Sequence, residues 1–98
     1  MTNKNRRDRT NDSVYSITPQ RGEVITASYT GKRYELSLTE WDKPIARVRY
    51  FSLNGDIRIT GDVRKLVKHR ECIDSHRDMP ELQRNIFSMI LNCIENAQ

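Results

Sequence analysis

Residues 33–60 read RYELSLTEWDKPIARVRYFSLNGDIRIT. Across Arg33–Thr39 the side chains alternate: Tyr34, Leu36 and Leu38 point one way, and Arg33, Glu35, Ser37 and Thr39 the other. A period of two marks a strand with one buried and one solvated face. Ile45–Leu53 repeats it, with Ala46, Val48 and Tyr50 on one face and Ile45, Arg47, Arg49 and Phe51 on the opposite one. Glu40–Pro44 lies between and reads as a turn, where Pro44 fixes φ and, lacking an N–H, should stop strand pairing. Asn54-Gly55 predicts a two-residue hairpin, because both residue types tolerate positive φ. It leads into Asp56–Thr60, with Ile57 and Ile59 inward and Arg58 outward.

Upstream, Glu23–Tyr29 reads as another strand, joined to Arg33–Thr39 through Thr30-Gly31-Lys32. Ser13–Thr18 is a weaker candidate, ended by Pro19 and a Gln20-Arg21-Gly22 turn. Downstream of Gly61 the apolar period changes from two to 3.6. Asp62 is placed to cap a short helix carrying Val63, Leu66 and Val67 on one face and fraying between His69 and Asp74. Asp78-Met79-Pro80-Glu81 then opens a longer helix, expected from Pro80 to about Glu95. The expected fold is therefore α+β: an antiparallel β-meander of four to five strands, followed by a short helix and a longer C-terminal helix packed on one sheet face.

On that last helix Leu82, Ile86, Phe87, Met89, Ile90, Cys93 and Ile94 span roughly 160° of arc, with Leu91 just beyond. Leu82, Ile86 and Ile90 are expected in the core. The arc is wider than one sheet face needs, which makes Phe87, Leu91 and Ile94 candidate interface residues and a homodimer through this helix a candidate assembly.

Ninety-eight residues, 36% hydrophobic and 31% charged, fit a single domain with a modest core. Residues 1–12, MTNKNRRDRTND, hold no aliphatic or aromatic residue after Met1 and are expected to form a disordered basic arm ahead of a single domain at 13–98. No apolar run approaches the roughly 18 residues that span a bilayer, so no membrane partner is expected. The N-terminus lacks the charged, apolar, small progression of a secretory signal, so the expected location is cytoplasmic. Two cysteines, Cys72 and Cys93, are no disulfide framework.

Motifs for catalysis are missing: there is no P-loop, dinucleotide glycine pattern, Gly-x-Ser-x-Gly or His-Glu-x-x-His. His69, Cys72 and His76 would share about 60° of a continuous helix, with Cys93 as a conceivable fourth ligand, but their spacing matches no common zinc pattern. Neither an enzyme nor a bound metal or cofactor is expected.

The strongest functional signal is the outward sheet face. With Tyr34, Leu36, Leu38, Val48, Tyr50, Ile57 and Ile59 packed inward, Arg33, Arg47, Arg49 and Arg58 emerge together with Phe51. Strands lie about 4.8 Å apart, so four arginines on three strands make one basic patch, although Glu35 and Asp56 share the face and offset part of its charge. A second basic run, Arg64, Lys65 and Lys68, covers the polar side of the short helix. With a net charge of +4, these features point to an anionic partner, either nucleic acid or an acidic protein surface. Cations interleaved with an aromatic on an open sheet suit a nucleic-acid-binding accessory protein. The alternative is a small inhibitor or adaptor, of the kind mobile elements encode, that regulates a protein such as a nucleic-acid-processing enzyme. A curved sheet followed by a helix resembles, in element order alone, the single-strand-binding coactivator and purine-rich-element-binding folds; no motif matches those families, so the resemblance implies no site residue.

Overall fold

The alternating segments form a five-stranded antiparallel sheet in the computed structural model, which describes residues 12–97. The expected basic arm lies, except for Asp12, outside the described residues. Strands β1 (Asp12–Ile17), β2 (Glu23–Thr30), β3 (Arg33–Glu40), β4 (Lys43–Phe51) and β5 (Asp56–Gly61) pair in chain order. Two short helices, α1 (Arg64–Lys68) and α2 (Arg70–Asp74), and the long α3 (Glu81–Ala97) follow, giving the expected α+β meander.

Register decides the faces. Ile25 pairs with Leu38, Ala27 with Leu36, and Leu36 with Val48, so these side chains share one surface. That surface carries the core, where they meet Leu66, Ile73, Met79, Phe87, Ile90, Leu91 and Ile94 from the helical side. Three tyrosines cross it as a ladder. Tyr29 and Tyr34 have ring centroids 4.5 Å apart, Tyr34 and Tyr50 6.0 Å, and the Phe87 ring meets Tyr34 edge-on at 5.6 Å. Burial, then the charge and hydroxyl of Tyr29, hold the Tyr34 phenol above its ordinary pKa.

Four local expectations are corrected. Pro44 does not stop pairing: it lies within β4, opposite Thr39. Leu38 pairs with Ala46 and Thr39 with Pro44, leaving Ile45 as the extra residue of a bulge, the setting in which a strand tolerates proline. The tight two-residue turn is instead Trp41-Asp42, with φ of 52° and 68°, closing Glu40 onto Lys43. A bulky residue is costly in the left-handed region. Here the Trp41 N–H donates to the Gly22 carbonyl at 2.7 Å, and the indole lies over Gly22 where any Cβ would collide with it.

Asn54-Gly55 is the second half of a four-residue loop, Ser52–Gly55, because Phe51 pairs with Asp56. The Gly55 N–H, at φ 74°, donates to the Phe51 carbonyl, while Asn54 Oδ1 accepts from the Asp56 N–H. The register moves by two residues relative to the expected hairpin, which leaves every face assignment intact. Asp62 does not cap α1 with its side chain. Val63 is the N-cap residue, and Asp62 is tied back to the bulge by its N–H to the Ile45 carbonyl at 3.0 Å.

The largest correction is the rotation of α3. Phe87, Ile90, Leu91 and Ile94 are buried, Ile86 is half-buried and Leu82 is 69% exposed. Phe87, Leu91 and Ile94 are thus core residues, and the chain's own fold already uses the surface assigned to an interface. The polar bonds of this helix agree with that rotation: Arg70 donates to Asn92 and to Glu95, and Arg84 donates to the Asp74 and Met79 carbonyls. The bonds to Asn92, Glu95 and Asp74 mark the flank of α3 that faces α2, and Leu82 lies away from it.

Candidate functional site

On the strand surface opposite the core, the register lines up Ser28, Glu35, Arg49 and Arg58 across β2 to β5, and Ser37, Arg47 and Thr60 beside them. Arg33 pairs with Phe51, which pairs with Asp56. Arg33, Arg47, Arg49, Arg58 and Phe51 therefore occupy one face. The helical core lies on the other, and the arginine side chains are 36–69% exposed.

The electrostatics of this face are more organised than a row of cations. Glu35, only 22% exposed, sits among three guanidinium groups: Arg47 Nε at 3.5 Å, Arg33 Nε at 3.8 Å and Arg49 Nε at 3.9 Å. These distances are long for hydrogen bonds. One carboxylate attracts three cations without saturating any, and a guanidinium has five N–H donors to offer. Arg58 is bound more closely, to Asp56 at 2.9 Å, and its guanidinium carbon stands 5.5 Å from the Phe51 ring centroid. Four cations against two carboxylates leave the face net positive.

The bulge adds a feature that alternation alone does not reveal. Where β3 and β4 slip, an open depression of about 390 Å³ forms between Ser37, Thr39, Pro44, Ile45, Arg47 and Thr60. It places three hydroxyls and one guanidinium around a partly apolar floor on the arginine face. The only sequence signal for it was a proline inside an otherwise regular strand pattern. A second cleft, about 500 Å³, opens at the sheet end beside Arg21, Gly22, Glu23, Trp41 and Asp42.

The basic run of the short helix does not join this face. Lys65 Nζ binds Glu40 at 3.3 Å, and His69 Nε2 lies 3.2 Å from Glu23 Oε1. Glu40 and Glu23 have the inward parity of their strands, so α1 crosses the sheet end on the core side. Arg64 and Lys68 are exposed there.

The cysteine and histidine side chains are dispersed: His69 faces Glu23, His76 packs edge-on against Tyr15 at 5.8 Å, Cys72 is half-buried and Cys93 is exposed. Among the described residues no three His, Cys, Asp or Glu groups gather into a metal-binding set, and no helix is long and apolar enough to cross a membrane. Comparison of the chain with protein-family models, with curated proteins and with solved structures gives no match.

Proposed function

We propose that this is a non-catalytic nucleic-acid-binding protein whose uncovered sheet face holds a single strand. The observation that carries the reading is the alignment of Arg33, Arg47, Arg49 and Arg58 on three neighbouring strands, the first three around the Glu35 carboxylate and Arg58 on Asp56, with Phe51 at one end and the bulge depression at the other. From Pro44 to Phe51, β4 runs about 23 Å at 3.3 Å per residue, a length that suits an extended strand. Guanidinium groups meet phosphates in a bidentate manner, the Phe51 ring offers a stacking surface, and the hydroxyls of Ser37, Thr39 and Thr60 accept or donate to sugars and base edges. A duplex presents a stiff cylinder that touches a flat sheet along fewer phosphates, so single strands are preferred.

The second reading, an inhibitor or adaptor on an acidic protein, is favoured by one observation: the arginines are already partly compensated by Glu35 and Asp56, a pattern that suits carboxylates as well as phosphates.

Fluorescence anisotropy with labelled single- and double-stranded oligonucleotides at three salt concentrations separates the two. Four phosphate contacts at about 0.7 released counterions each give a log–log slope near −3 for a single strand. Binding by the single strand with that slope supports the proposal. No binding at low salt refutes it and leaves the protein-binding reading ahead.

A further inference from the structure

The cleft at the sheet end adjoins the arginine face. Val24 of β2 lines the cleft, and Thr39 of β3 lines the bulge depression. These two residues are register partners with the outward parity of Ser37 and Arg47, so one cross-strand pair, about 4.8 Å wide, separates the two hollows. Trp41 forms the far side of the cleft. Gly22 covers one face of its indole, since a Cβ added there would collide with Cδ2, Cε2 and Cζ2, and the Trp41 N–H donates to the Gly22 carbonyl at 2.7 Å. The residue is nevertheless 66% exposed, which leaves the opposite face of the ring open. A turn that needed only a φ of 52° would carry Asn or Gly at this position. An indole held there is strained, and most of it is not buried in return.

We propose that this cleft is a base-stacking subsite for a single strand lying on the arginine face, an inference that rests on the nucleic-acid reading above. The strand runs along β4 past Arg49 and Arg47 to the depression, crosses the Val24–Thr39 pair and lays a further base on the open face of Trp41. Phe51 and Trp41 then hold bases at the two ends of the path, and the arginines hold phosphates between them. The charges of the cleft favour a base over a phosphate. Arg21 and Asp42, both exposed there, offset each other, and Glu23 is turned to the core side, with Oε1 3.2 Å from His69 Nε2. The exposed Thr18 hydroxyl and Gln20 amide supply donors and acceptors for a base edge beside the indole.

Trp41 is the single tryptophan of the chain, so its emission reports on this cleft alone. Titration with an oligothymidylate dodecamer should quench that emission saturably, over the concentrations at which the labelled dodecamer gains anisotropy. Trp41→Gly suits the positive φ and should leave the circular dichroism unchanged. Its affinity for the dodecamer should fall about five-fold or more, the usual effect of losing one base–aromatic stack. The log–log salt slope should stay as it was, because a stacked base releases no counterion. Trp41→Tyr should restore most of the affinity. Arg49→Ala should do the converse, flattening the slope while the quench persists at saturation. Binding of the dodecamer with no change in Trp41 emission, or a folded Trp41→Gly protein with wild-type affinity, overturns the subsite and leaves the arginine face standing. Absence of any binding at low salt overturns both.

Discussion

Replacing Phe87 by alanine tests the rotation of α3, on which the core depends. The Phe87 side chain is 1% exposed and its ring meets Tyr34 edge-on at 5.6 Å. Truncating a buried phenylalanine costs about 3–5 kcal/mol in lost transfer free energy and residual cavity. An edge-to-face pair contributes about 0.5–1.5 kcal/mol of aromatic interaction, which places this site at the upper end, near 4–5 kcal/mol. A domain of this size has only about 5–15 kcal/mol of stability in total, so roughly a quarter or more is lost. In urea, with a slope of about 1–1.5 kcal/mol per molar, the midpoint should fall by about 3–5 M. Leu82→Ala on the same helix should shift it by under about 0.5 kcal/mol, as for exposed positions generally. Circular dichroism melts in urea give both numbers. The reverse ranking, with Leu82 costly and Phe87 cheap, would refute the assigned rotation.

Two further outcomes follow from the core and the turns. The raised Tyr34 phenol keeps its proton in the folded chain after the unfolded chain has released it, so its contribution is fully present below its ordinary pKa of 10.0 and lost as pH rises through the higher folded value. Phenolate absorbance should show one tyrosine titrating later than the others, together with a stability decline beginning near that pH; simultaneous titration of all four would contradict it. Gly22→Ala places a Cβ against the Trp41 indole at a φ of 85°, and should cost about 1–3 kcal/mol while changing the tryptophan emission. An unchanged melt and spectrum would show that the indole does not rest on Gly22.

What was legible in the sequence followed from period. Alternation at Tyr34-Glu35-Leu36-Ser37-Leu38 and at Ala46-Arg47-Val48-Arg49-Tyr50 fixed the faces, and even a two-residue error at the β4–β5 loop left them right, because a shift of two preserves parity. The arginine face was visible for that reason. Features set by tertiary contact were not visible. Trp41 adopts positive φ because Gly22, nineteen residues earlier, lies beneath its ring. Pro44 enters β4 because a bulge absorbs it, and the depression beside it is a consequence of that slip. On α3 the apolar residues cover so much of the surface that hydrophobicity alone could not choose the buried side. Arg70 and Arg84, reaching between α2 and α3, mark the flank that faces α2, a polar signal that a search for apolar arcs passes over. Glu35 was recognised as a neighbour of the arginines, but its position among three of them depends on the register of two strand pairs together.

Glu35→Gln tests the proposed use of that face most directly, because it removes the shared negative charge while retaining the side-chain shape. If single-stranded nucleic acid is held by Arg33, Arg47 and Arg49, these cations lose an internal competitor, and affinity for a labelled single-stranded oligonucleotide should rise several-fold at low salt. The log–log salt dependence should steepen, by up to about 0.7 per additional phosphate engaged. Arg49→Ala, measured in the same titration, should move both quantities the other way. Affinity that is unchanged or weaker in Glu35→Gln, with the fold intact, would contradict the account.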